Sequence, residues 1–139
     1  MKRNSRLSLA LHTLGHMASE PQKLRTSAEI AVHAGTNPVV VRRVLGRLRE
    51  AGLLMSTKGH TGGWRLARAA EMITLADVYL ALDERLVSSD APVSEPECAV
   101  EHALHSRVLG ILADVETSLV EKLGETSIAE IRSNHAGTA

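Results

Sequence analysis

Arginines stand at positions 42, 43, 47 and 49, in a segment that opens Asn37-Pro38-Val39-Val40 and holds little opposing charge. A guanidinium offers a planar fork of donors that fits a phosphate, or the O6 and N7 edge of guanine. An apolar side chain on the same surface has another possible target, the methyl group of thymine. Valines and arginines together on one helix face are therefore suited to reading base edges in the major groove of duplex DNA. On a helical wheel, Val39, Val40, Arg43, Gly46 and Arg47 lie opposite the apolar stripe Val41, Val44, Leu45 and Leu48. Arg43 is placed to reach guanine, while Arg42 and Arg49 flank the helix and suit phosphates. The competing reading, a merely solvated arginine face, is disfavoured because so few acids accompany these charges.

Two further groups of residues suit an anionic duplex. Lys58, His60 and Thr61 sit among Gly59, Gly62 and Gly63, with Arg65 just beyond, a composition that fits a turn approaching a minor groove or its phosphates. The glycines would serve a plain turn equally well. Lys2, Arg3 and Arg6, with Thr26 and Ser27 at a helix start, are candidate phosphate contacts that would position the protein without specifying sequence.

The remaining reactive side chains suggest metal or redox chemistry. Cys98 is the single cysteine, with His102 and His105 close by, while His12, His16 and Glu20 recur at four-residue spacing on one helix face. A mixed-ligand metal site could draw on Cys98, His12 and His102, because imidazole and carboxylate can replace thiolate. The expectation here is no metal, with these histidines at the surface or in an interface. Cys98 at a helix start is the candidate redox residue. Glu95, Glu97 and Glu101 would raise its pKa, so a quiet, partly buried thiol is expected. A nucleophile and base built from Cys98 with His102 or His105 lacks any evident oxyanion device or substrate cleft, so no enzyme is expected.

These groups must be held by particular elements. Leu7, Leu11, Leu14 and Ala18 recur at helical spacing, predicting an amphipathic helix from about Ser5 to Ser19 that ends at Glu20-Pro21. Thr26 and Glu29 have the spacing of a capping box, opening a short helix that Gly35 closes. Asn37-Pro38 starts a third helix, which Ala51-Gly52 ends. A short helix, a brief turn and a basic helix form the helix-turn-helix pattern. Leu53 to Ser56 and Trp64 to Ala67 then read as strands of a hairpin with Trp64 and Leu66 on its packed face, which makes the whole a winged helix.

The second half reads differently. Thr74 caps a helix presenting Leu75, Val78 and Leu82, and Ser88 to Pro96 form a loop. Leu104, Val108, Leu112, Val115, Leu119 and Leu123 recur at steps of four and three, a heptad-like seam on a long helix over about residues 99–122. Thr126 or Ser127 caps a last short helix with Ile128 and Ile131. The fold class is thus mainly α, a winged helix-turn-helix with a two-stranded wing and a long C-terminal dimerisation helix.

Charge divides the chain in the same place. Residues 1–68 carry twelve lysines and arginines against three acids, a formal +9, and residues 69–139 carry four against thirteen, a formal −9. The first half suits a polyanion and the second suits protein contacts. We accordingly expect a DNA-binding region at 1–68 and a dimerisation and possible sensing region at 69–139. The length allows one hydrophobic core plus an appended helix, and no apolar run suits a signal peptide or a membrane span. A cytoplasmic protein is expected. The alternative function is a winged-helix module that meets an acidic protein instead of DNA.

Four blocks carry a resemblance: Ser27-Ala28-Glu29-Ile30-Ala31, Asn37 through Arg43, Leu48-Arg49-Glu50-Ala51-Gly52-Leu53, and Gly59-x-x-Gly62-Gly63-Trp64-x-Leu66-Ala67-Arg68. Together they resemble the Rrf2 family of bacterial regulators, which includes IscR, NsrR and CymR, with Trp64 standing where the family usually has Tyr. Asn4-Ser5-Arg6-Leu7 and the Asn37 block look closest to the cluster-free, YwnA-like branch. The resemblance implies a homodimer, double-stranded DNA with palindromic operators as partner, and repression of transcription. Cluster-binding members carry three cysteines before the long helix. With Cys98 alone, no cofactor is expected here, and an iron–sulfur cluster with non-cysteine ligands is the alternative.

Overall fold

The computed structural model describes residues 5–83 and 98–136. Helix α1 (Arg6–Ser19) starts where Ser5 Oγ accepts from the Ser8 N–H at 3.0 Å. It buries Leu9, Ala10, Thr13, Leu14, Met17 and Ala18, one face at helical spacing. Helix α2 (Ser27–Ala34) has the expected reciprocal cap, with the Glu29 N–H donating to Thr26 Oγ1 at 3.1 Å and the Thr26 N–H donating to Glu29 Oε2 at 3.2 Å. Gly35 ends it at φ 70°, a left-handed conformation that glycine adopts without steric cost. Helix α3 (Pro38–Glu50) begins at Asn37, whose side chain accepts from the Val40 N–H at 3.1 Å.

Strands β1 (Leu54–Thr57) and β2 (Gly63–Leu66) pair antiparallel, with Leu54 opposite Leu66 and Ser56 opposite Trp64. Both are displaced one residue from the sequence expectation. Leu53 still donates back to the Leu48 carbonyl at 2.9 Å, completing the exit from α3 before the ladder starts. The sheet also gains a short extra edge that the sequence did not announce. Arg25 exchanges two backbone hydrogen bonds with Trp64, at 3.1 and 2.8 Å, so the α1–α2 connection is stitched to the wing. That approach explains Gly63, because a Cβ there would lie 2.8 Å from the Arg25 carbonyl oxygen.

A 3-10 turn at Ala70–Met72 leads to α4 (Leu75–Ala81), capped by Thr74 and Asp77 in a second reciprocal box. Helix α5 (Ala99–Leu123) spans 25 residues, close to the range its seam predicts. Helix α6 (Ile128–Ala136) is capped by Ser127, whose Oγ accepts from the Glu130 N–H at 3.2 Å.

One apolar core joins Leu14, Met17, Val41, Val44, Leu45, Leu48 and Trp64 to Ile73, Val78, Leu82 and Ile128. Burying each aliphatic side chain contributes about 1.5–3 kcal/mol, so the core draws stability from residues on both sides of position 68. Helix α6 packs against α1, and Arg132 Nη1 donates to the Ala18 carbonyl at 2.8 Å. The charge boundary after Arg68 is therefore not a packing boundary. Helix α5 is the exception. None of its residues is buried, and it meets the body at α4; just past its end, a Cβ built on Gly124 would lie 3.8 Å from the Ala76 Cβ.

Candidate nucleic-acid interface

The stripe of Val41, Val44, Leu45 and Leu48 fixes the rotation of α3, because all four are essentially inaccessible to solvent. Arg42, Arg43 and Arg47 consequently point outward, and Val39 remains 60% exposed at the first turn. An apolar side chain held in water at a helix start loses the benefit of burial unless something covers it. Val40 departs from the expected outward position. It is half-buried and packs against the core, because it lies one helical step before Val44 and Leu48 on the same ridge. Pro38 is half-buried at the helix start, and the Asn37 side chain is already engaged as the cap.

The wing packs against α3 through β1. Lys58, His60 and Thr61 are exposed on the β1–β2 turn. A Cβ at Gly62 would run into the Thr57 carbonyl, so that glycine is required by the turn itself. Arg65 is half-buried on the sheet face opposite Trp64, with Nε 3.0 Å from Met55 Sδ. Arg49 is occupied within the protein. Its Nη1 donates to Ser56 Oγ at 2.9 Å and its guanidinium sits 5.5 Å from the Trp64 ring centroid, locking α3 to the wing.

The candidate phosphate contacts fall into two groups. Arg6 is exposed at the start of α1, whereas Lys2 and Arg3 lie outside the described residues. Thr26 Oγ1 serves the cap, and Ser27 Oγ accepts from the Trp64 indole N–H at 2.9 Å while keeping its own proton for another acceptor.

The metal and redox candidates are arranged differently from the expectation. Cys98 is exposed, not partly buried, at the N-cap of α5. It makes no cap hydrogen bond through its side chain, yet the backbone N–H groups of Glu101 and then Val100 favour the thiolate and lower its pKa. This corrects the expected rise: the two backbone N–H groups at the helix start outweigh desolvation, and Glu95 and Glu97 lie outside the described residues. His102 occupies the first turn of α5, its N–H donating to the Cys98 carbonyl at 2.9 Å. Glu20 faces Lys23 at 3.8 Å and Arg25 at 3.5 Å. His12 and His16 instead meet His33 of α2, and the potential ligand atoms of the three lie within 4.8 Å of one another. Among the described residues, no other set of three such groups converges. His33 carried no local signal in the sequence, being seventeen residues from His16.

Burial first, and then the His33 ring, hold the His12 pKa below its ordinary value. His16 is lowered likewise, by burial first and then by His12, His33 and Arg25.

The chain matches the Rrf2 family model, described as an iron-dependent transcriptional regulator, over residues 3–134. It is 31% identical over 136 residues to YwnA of Bacillus subtilis strain 168, described as an HTH-type transcriptional regulator, covering 95% of this chain and 97% of that one. Its fold is similar to that of a protein described as a transcriptional regulator from Lactobacillus plantarum, with a TM-score of 0.79 at 19% identity over 96% of this chain and 91% of that one. The fold also resembles that of T. potens IscR, with a TM-score of 0.67 at 20% identity over 100% and 93% of the respective chains.

Proposed function

The chain belongs to the Rrf2 family of DNA-binding transcriptional regulators, and from that premise we propose that it is a homodimeric repressor reading a palindromic operator. The observation that carries this reading is the exposure of Val39, Arg42, Arg43 and Arg47 on the outward face of α3, together with that of Lys58, His60 and Thr61 on the wing turn. The first turn of α3 would enter the major groove and the wing would meet the neighbouring minor groove or its backbone. The positive charge of the first half supports this contact with a polyanion.

The dimer reading rests on α5. Val100, Leu104, Val108, Ile111 and Val115 follow one another at steps of three and four, and each is at least half exposed. A stripe of that length at seam spacing is self-complementary, and a second copy of α5 would cover it. A two-fold dimer presents two copies of α3, hence the palindrome. No helix among the described residues is long and apolar enough to cross a membrane, and the cytoplasm is the compartment this reading assigns.

A cluster held by three cysteines does not fit this chain, because Cys98 is its single cysteine. Responsiveness to redox state is a secondary part of the reading. It is supported by the exposure of Cys98 and its favoured thiolate. Mass spectrometry after mild peroxide treatment, paired with operator titration, tests it: a thiol that stays reduced with unchanged affinity removes the redox element.

The main reading is tested by selecting duplexes from a random library and titrating the winner by gel shift at several salt concentrations. A palindromic winner, affinity falling steeply with salt, and a reporter that rises when the gene is deleted are expected. Binding to no duplex above background overturns DNA recognition, and a reporter that falls on deletion overturns repression.

A further inference from the structure

We propose that His12, His16 and His33 bind one divalent transition-metal ion and so clamp α1 to α2, the first helix of the helix-turn-helix. Two of the three sit one helical turn apart on α1, and the third reaches across from α2. His16 Nε2 and His33 Nε2 are 2.9 Å apart, and the ring centroids of the trio are separated by 4.3 to 5.2 Å. An ion about 2.05 Å from each imidazole nitrogen holds neighbouring nitrogens about 2.9–3.3 Å apart, depending on octahedral or tetrahedral geometry. Small side-chain rotations therefore suffice to convert the trio into a ligand set.

A hydrogen bond between His16 and His33 accounts for one pair but not for the third ring. Burial first and the neighbouring rings second lower the pKa values of His12 and His16, which favours the neutral, ligating form of those two rings. A small cavity of about 40 Å³ opens beside the rings, lined also by Arg25 and Glu29. These two charges oppose each other in sign at its rim. His12 and His33 are exposed, which leaves room for water to complete the coordination sphere.

An all-imidazole set suits zinc, nickel, copper or cobalt, and suits magnesium and calcium poorly. The site contains no thiolate and lies within a single chain. It is thus independent both of Cys98 and of the dimer, and it does not rest on the DNA-binding reading.

The experiment uses the full-length protein, stripped with a chelator and titrated with Co2+ and then Zn2+. One equivalent of cobalt per chain is expected, with visible absorption bands, no thiolate charge-transfer band, and displacement by zinc. His16→Gln and His33→Gln should each weaken binding by more than about tenfold, the scale that even outer-shell changes reach. Cys98→Ser should bind like the wild type. Circular dichroism of the metal-free variants controls for folding, and His12→Gln replaces any variant that fails it. Absence of stoichiometric cobalt binding, unchanged affinity in the folded histidine variants, or loss of binding in Cys98→Ser would each overturn the site.

Discussion

The Trp64 indole donates its N–H to Ser27 Oγ at 2.9 Å, so the second strand of the wing is fastened to the N-terminus of α2. The guanidinium of Arg49 in α3 lies over the same ring, 5.5 Å from its centroid. One buried tryptophan thus ties together both helices of the helix-turn-helix and the wing. Trp64→Phe keeps most of the packing and loses the hydrogen bond. A loss of about 1 kcal/mol is expected, read as a melting temperature lower by about 3–4 °C. Trp64→Ala also opens a cavity and should cost about 3–5 kcal/mol. Thermal and urea melts check both, and an unchanged Trp64→Phe would show that the hydrogen bond contributes nothing net.

Arg43 and Arg42 should separate specificity from affinity. Arg43→Ala is expected to cost about 1–3 kcal/mol on the selected operator, roughly five- to 150-fold, with a much smaller effect on scrambled duplex. Arg42→Ala should weaken both duplexes alike and shallow the salt dependence. Fluorescence anisotropy on the two duplexes distinguishes these outcomes. Equal losses on both for Arg43→Ala would remove its base-reading role.

Leu104 and Val108 are 62% and 53% exposed within one chain, so changing them leaves the core of that chain untouched. The double variant Leu104→Glu with Val108→Glu places four acids across the proposed seam of the dimer. Analytical ultracentrifugation should show a monomer with retained circular dichroism. Operator affinity should fall by about tenfold or more as the two half-sites lose their linkage. A variant that remains dimeric would refute α5 as the interface.

The histidine trio gives a pH dependence of definite sign. His12 and His16 have folded pKa values below the ordinary 6.5, so between the two values the unfolded chain binds more protons than the folded one. Stability is therefore fully present above about pH 6.5 and declines as the pH falls through the lowered folded values. In chelator, the melting temperature should drop between about pH 7.5 and about pH 5.5. His33→Gln removes a neighbouring charge that depresses both groups, and should narrow the drop.

Local chemistry made much of this architecture legible. Ser5, Thr26, Asn37 and Thr74 each close a cap with the third residue onward, a contact whose two partners are neighbours in sequence. Helical spacing likewise placed the Val41 to Leu48 stripe inside and Arg43 and Arg47 outside. The same wheel put Val40 on the outside. Its partial burial depends on how far the core extends around α3, which no periodicity within the helix states.

Cys98 shows the same limit in electrostatic form. Counting nearby acids predicted a raised pKa, whereas the orientation of two backbone N–H groups at the start of α5 lowers it. Orientation is a property of the folded backbone, not of composition.

By itself, the sequence determined the helix-turn-helix, the glycine-rich wing, the long apolar seam and the segregation of charge, because each is written in residues a few positions apart. Tertiary structure alone decided that Arg25 pairs with Trp64, that α6 returns to α1, and that His33 joins His12 and His16. Those meetings bring together residues far apart along the chain, and only the closing of a shared core fixes which distant side chains end up side by side.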